Sequence, residues 1–172
     1  MKNKLTKNSW HWALIVIALI LFSVAKTTPL EAKTLTQKNE INKITNNIEN
    51  QIKNGSLRKQ TKHIEYLEPY EPTLKEIYYD KSNIARKLII EAGSEDSAIT
   101  ENYYYNSEQK LIFVLIKGGS TNGAHMEHVI YFSTDGKRIQ EKQKYSSGPK
   151  YTFPEVWPEN QIIFNPWDEF NK

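Results

Sequence analysis

The sequence predicts an α+β domain: one N-terminal helix packed on a six- to seven-stranded antiparallel β-meander, followed by an extended aromatic- and proline-rich C-terminal tail. Three observations carry this expectation. Isoleucines at 41, 44, 48 and 52 recur at helical spacing, the hydrophobic period then switches to two, and the last twenty-odd residues gather aromatic side chains between prolines.

The helix is expected over Thr36 to Asn54. Its isoleucines are spaced 3, 4 and 4, which at about 100° per residue keeps all four within about 80° of arc. Thr36 can cap the start, and Asn54-Gly55 supplies a stop because glycine enters the left-handed conformation freely. The stripe has no aromatic anchor and the polar face mixes Lys with Glu, so the pattern favours a helix laid on a sheet over one that lies on a membrane.

A short strand around Arg58 to Leu67 precedes the turn-rich run Glu68-Pro69-Tyr70-Glu71-Pro72. Three β-hairpins then share one plan. Residues 76–80, 102–106 and 129–133 are aromatic-rich strands, each followed by a polar turn and a return strand beginning with a basic residue, at Lys87, Lys110 and Arg138. The turns read as unequal in length, which argues for a meander and against a repeat of fixed register. Thr134-Asp135-Gly136-Lys137 is the most specific hairpin signal. The glycine-rich run 118–123 marks the longer connection between the second and third hairpins. Leu111 to Ile116 is apolar on both faces, as a central strand covered from both sides would be. The isoleucine helix is the natural cover for one face. For the other, the tail of residues 149–172 offers Tyr151, Phe153, Trp157, Phe164, Trp167 and Phe170, while Pro154, Pro158 and Pro166 forbid a long helix or inner strand and leave it to run extended over the body.

The N-terminus carries an address. Lys2, Lys4 and Lys7 precede the apolar run from Ala13 to Phe22, with small residues at Ser23 and Ala25, which is the pattern of a cleavable signal peptide spanning residues 1–32. Cleavage fits after Ala25 or after Ala32, leaving one domain from residue 33 onward. The protein is therefore expected to be exported, periplasmic or extracellular, with anchoring to an inner membrane by an uncleaved leader as the alternative. Removing the leader at Ala25 takes Lys plus Arg from 23 to 20, against 20 acidic residues. A neutral domain gives no ground for binding nucleic acid or an anionic membrane. There is no cysteine, so packing alone must hold the fold.

An isoleucine-spaced helix ending in Asn-Gly, a Lys-rich strand, and hairpins of the type Tyr-Tyr-Asp and Tyr-Tyr-Tyr-Asn leading into Lys-Leu-Ile-Phe-Val together resemble a diffuse group of uncharacterised exported bacterial proteins. The resemblance implies a helix against a curved antiparallel sheet and brings no activity. The layout also looks loosely like cystatin-type and β-lactamase-inhibitor-type folds, without an inhibitory loop motif that would extend the likeness to function.

Candidate chemistry is sparse. In His125-Met126-Glu127-His128, strand alternation puts His125 and Glu127 on one face and His128 on the other, so the three cannot share a metal without a bulge. Neither zinc spacing, His-Glu-x-x-His or His-x-x-Glu-His, is present. Phosphate loops, nucleophile elbows and dinucleotide fingerprints are missing too, so no cofactor and no metal are expected. The sequence reads as a non-catalytic cell-envelope module that binds a protein or a glycan, with Asn122, His125, Glu127 and Tyr145 as its candidate binding residues. The alternative is a secreted hydrolase of unfamiliar type using His125 and Glu127. Intact-mass measurement on protein recovered from the envelope or medium should give an N-terminus at Lys26 or Lys33; Met1 retained on membrane-bound material would replace export with anchoring.

Overall fold

The computed structural model describes residues 28–65, 73–146 and 153–172, the side chains of Pro29, Tyr145 and Ser146 excepted. The chain divides between residues 33 and 34. The expected leader up to residue 27, the end of the expected first strand at 66–67 and the turn-rich run at 68–72 lie outside the described residues. Among those described, no helix is long and apolar enough to cross a membrane.

Helix α1 runs Pro29–Lys53, starting seven residues before the expected Thr36. The cap is Thr28, whose hydroxyl accepts the Glu31 N–H at 3.3 Å while the Glu31 carboxylate accepts the Thr28 N–H at 2.9 Å. This reciprocal pair is the capping box, with Pro29 at the first helical position, where its missing N–H costs nothing. The helix ends as expected. Gly55 takes φ +73°, its N–H reaches the Ile52 carbonyl at 3.1 Å, and the Ser56 N–H reaches that of Gln51 at 2.9 Å, which together form the Schellman arrangement.

The seven strands are β1 (Arg58–Ile64), β2 (Thr73–Tyr79), β3 (Ala85–Ser94), β4 (Ser97–Tyr105), β5 (Leu111–Ser120), β6 (His125–Phe132) and β7 (Arg138–Ser146), paired in sequence order. Every pairing is antiparallel. The fold class is thus the α+β meander the sequence predicts.

The hairpins are more regular than the sequence suggests. Asp80, Asn106 and Ser133 each donate their N–H to the carbonyl four residues on, and accept at their own carbonyl from the residue three on. All three turns are therefore equal in length, correcting the expectation. The residue that must adopt positive φ is Asn83, Gln109 or Gly136, at 62°, 59° and 81°, and only the last is the glycine that advertises it. Just past each turn one residue of the return strand, Arg86, Ile112 or Ile139, has no partner opposite, so each hairpin carries a bulge at the same place.

The glycine-rich run is also reassigned. Gly118 and Gly119 belong to β5, and the connection to β6 is another turn of the same type, with Gly123 at φ +85°. The glycines serve close approach: a Cβ on Gly118 would stand 3.0 Å from the Phe153 ring.

Both faces of β5 are covered. On one, α1 lies over the row Lys59, Tyr78, Lys87, Tyr104, Phe113, Tyr131, Gln140, which the strand registers align across the sheet. Ile41 and Ile48 bury against Tyr104 and Ile112. Lys87 pairs with Glu49 at 2.6 Å, and the Tyr104 hydroxyl donates to the same carboxylate at 2.8 Å. On the other face the tail adds Trp157, Ile162 and Phe170 to the main core, which holds Ile77, Leu88, Tyr103, Tyr105, Val114, Ile116, Ile130 and Phe132. The tail is not wholly extended, since it folds into a 3-10 turn at Glu159–Gln161 and a short helix α2, Pro166–Asn171. Proline at its first position and the Asn165 side chain at its cap license that last turn. The expected contribution of Tyr151 lies outside the described residues.

Phe170→Ala should cost about 3–5 kcal/mol, as deletion of a buried aromatic does, whereas Phe164→Ala, at a residue 45% exposed, should cost under about 1 kcal/mol. Equal melting temperatures for the two variants would show that the tail is not part of the core.

Candidate functional site

The tail is fastened to the sheet by side chain-to-backbone hydrogen bonds that run in both directions. The Tyr103 hydroxyl donates to the Gln161 carbonyl at 3.1 Å, Tyr105 to that of Ile163 at 2.8 Å, and the Trp167 indole to that of Asn83 at 3.1 Å. Lys75, buried, pairs with Glu169 at 2.7 Å. The two tyrosine bonds satisfy tail carbonyls that the prolines leave outside any regular ladder, while the Trp167 indole is the tail's own donor to the β2–β3 turn. Burial pushes both Tyr103 and Tyr105 phenols up, so they remain donors.

The strongest clasp is at Glu141 on β7. Its carboxylate accepts from the Trp157 N–H at 2.8 Å, from Arg138 at 2.8 Å and from His128 Nε2 at 2.6 Å. Arg138 in turn donates to the Trp157 carbonyl at 2.8 Å. Burial alone would raise the Glu141 pKa, but these donors together hold the carboxyl below its ordinary range. Because a carboxylate only accepts, His128 Nε2 carries the hydrogen. His128 is fully buried and its ring meets Trp157 edge-on, with centroids 5.8 Å apart.

Where the tail crosses the β3–β4 hairpin, the two do not close on one another. A cleft of about 480 Å³ lies between them, lined by Ala92, Ala98 and Ile99 from the sheet and by Phe153, Pro154, Trp157 and Pro158 from the tail. Ser94, Ser97 and Gln161 supply its polar groups. An apolar lining with a few polar groups, at this volume, is the usual character of a ligand site. The small Ala92 and Ala98 leave the space. Gly118 lets Phe153 reach the sheet and form one wall.

A second, more polar hollow of about 430 Å³ lies beside the same hairpin, lined by Glu95, Asp96, Ser97, Ser120, Thr121 and His125 among others. The β3–β4 and β5–β6 turns meet there, the Thr121 N–H donating to the Asp96 carbonyl at 2.9 Å.

The residues singled out from sequence separate in the fold. Asn122 is exposed and bonds within its own turn, its side-chain oxygen accepting the Ala124 N–H at 3.0 Å and the Ser120 hydroxyl, and so shapes the turn. His125 lines the polar hollow. Glu127 is exposed and lies one residue pair further along the same face, between Lys117 on β5 and Lys144 on β7. Among the described residues no bond joins His125 to Glu127, and no group of three potential metal ligands occurs. Tyr145 pairs through its backbone with Met126, and its side chain lies outside the described residues. The apolar cleft itself was not read from sequence. Phe153, Pro154 and Trp157 were noted as cover for the core, yet nothing local shows that Ala98 and Ile99, more than fifty residues away, form the opposite wall.

No family model, curated protein or solved structure matches the chain, and geometry is the ground on which function is inferred.

Glu141→Gln should destabilise the domain by about 1–3 kcal/mol at neutral pH, through lost charge-assisted bonds to Trp157, Arg138 and His128. A carboxyl whose folded pKa is depressed stabilises above its unfolded value and loses that contribution as pH falls through the folded one. The difference between parent and variant should therefore shrink once pH drops below the ordinary carboxylate range. Chemical unfolding followed at several pH values checks it, and a gap that widens toward acid would contradict the role given to Glu141.

Proposed function

We propose that this chain is an exported, non-catalytic module of the cell envelope that binds another protein, with the apolar cleft between the β3–β4 hairpin and the tail as its contact site. The observation that carries the reading is the cleft itself. It opens to solvent between walls that are each fixed, one by sheet pairing and the other by the Glu141 and tyrosine clasps. Aromatic and proline side chains lose little entropy when they contact a partner, which suits Phe153, Pro154 and Trp157 to the task. The leader supports placement outside the cytoplasm, where a cysteine-free domain folds without an oxidant.

A photo-crosslinking side chain placed at Ala98, on the cleft wall, should capture a discrete partner when the full chain is expressed and exported. The same group at Thr61, on the β1 edge, should not. Capture of the same species with equal yield from both positions, or none from Ala98, would remove the cleft from the reading.

A further inference from the structure

The overall neutrality of the chain conceals a segregation of charge. Residues 88–109, which include the hairpin wall, hold five carboxylates, Glu91, Glu95, Asp96, Glu101 and Glu108, and no Lys or Arg. Residues 153–171, which include the tail wall, hold four, Glu155, Glu159, Asp168 and Glu169, and again no Lys or Arg; away from the cleft, Glu108 pairs with Lys110 and Glu169 with Lys75 and Lys172. Both segments that make the cleft are thus exclusively acidic, and the basic residues lie on other parts of the chain.

Five carboxylates stand next in sequence to cleft-lining residues and all are exposed, Glu91 beside Ala92 being turned to the other face of the sheet by strand alternation. Glu95 and Asp96 form the turn between Ser94 and Ser97, Glu155 follows Pro154, and Glu159 follows Pro158. One is partly answered, since Arg138 stands 3.1 Å from Glu159. For Glu95, Asp96 and Glu155 no basic side chain lies within ion-pair distance among the described residues. The lining between them is uncharged. An apolar slot inside an acidic rim selects a ligand that carries an apolar anchor with cations on either side, because rim charges steer and discriminate through complementarity. The slot opens to solvent, so it suits a side chain projecting from a longer chain rather than a free small molecule.

We infer that the ligand of the cleft is a basic peptide segment whose apolar side chain enters between Ala98 and Trp157 while flanking Lys or Arg residues face Glu95, Asp96 and Glu155. This rests on the cleft being the binding site, and deepens that reading by naming the ligand's chemistry. An anionic membrane surface is disfavoured by the same rim.

The test uses the domain beginning at Lys26 and three acetylated, amidated pentapeptides: Lys-Leu-Lys-Leu-Lys and its counterparts with Gln or Glu in place of Lys. Amide chemical shifts of Ala98, Ile99, Phe153 and Trp157 report cleft occupancy. The Lys peptide should bind roughly threefold to tenfold more tightly than the Gln peptide, and the Glu peptide most weakly, with the preference fading as salt rises. The triple change Glu95→Gln, Asp96→Asn, Glu155→Gln, checked for an intact melting transition, should remove the preference for Lys, so that the Lys, Gln and Glu peptides bind alike. Ala98→Trp, checked for an intact melting transition, should abolish binding of all three. If all three peptides move the cleft signals equally, the charge inference falls and the cleft reading stands. If none moves them, or if the shifts cluster elsewhere, both fall.

Discussion

Leu111 to Ile116 of β5 are apolar toward both sides of the sheet, in a chain without a cysteine to cross-link it. Each face must then be covered by a segment from elsewhere in the sequence, and the rest of the structure follows from how that is done. The bulge at Ile112 sharpens the demand. It turns Ile112 and Phe113 together toward α1, while Leu111, Val114 and Ile116 meet the main core. Aromatic neighbours continue the covered row, with Phe113 4.9 Å from Tyr131 and 5.5 Å from Tyr104 between centroids. A helix crossing that row reaches several strands at once, so four isoleucines suffice to seal it.

The opposite face is covered by a segment whose prolines keep it from forming a long helix or an inner strand, and this is what creates a candidate site. A helix or strand would satisfy its own backbone and pack evenly. A proline-interrupted tail must instead have its carbonyls and amides met by the sheet, at Tyr103, Tyr105, Arg138 and Glu141. Those points hold Trp157 rigidly against His128 but leave the region over Ala92 and Ala98 unfilled. Core cover and cleft wall are thus the same residues. Packing and binding are usually weighed as rival explanations for an aromatic tail; here the buried edge of Trp157 contributes to stability and its cleft-facing neighbours Phe153 and Pro154 supply contact surface.

Much of the fold was legible because its signals are local. Isoleucine spacing, period-two strands, Asp135-Gly136 and Asn54-Gly55 each act within a few residues. The misses have physical reasons as well. Thr28 and Glu31 carry the capping spacing, but no isoleucine stripe follows them closely, so the eye is drawn to Thr36. The equal turns were hidden because Asn83 and Gln109 adopt positive φ without being glycine, Gln109 being held by its side chain accepting the Ala85 N–H at 3.1 Å. Conversely, Gly118 and Gly119 suggested a loop when their role is to admit Phe153 and His125 against the strand. His128 and Glu141 were invisible as a pair, since their meeting depends on the β6–β7 register and on the tail arriving above both.

The same limit applies to charge, and it bears directly on function. Net charge averages over the chain, and the average here is zero once residues 1–25 are set aside. A partner meets the field of one surface, screened over about 10 Å, so what matters is which charges the fold places within that distance of a cleft. The two runs without Lys or Arg are far apart in sequence and each is unremarkable alone. The antiparallel meander puts the first at the β3–β4 turn, and the Trp157 clasp brings the second over it. Segregation of this kind carries a cost in self-repulsion that scattered surface charges would avoid. Placing it around an uncharged apolar slot, with Arg138 answering Glu159 and leaving the other rim carboxylates to solvent, is the arrangement in which a cationic partner would relieve that repulsion on binding.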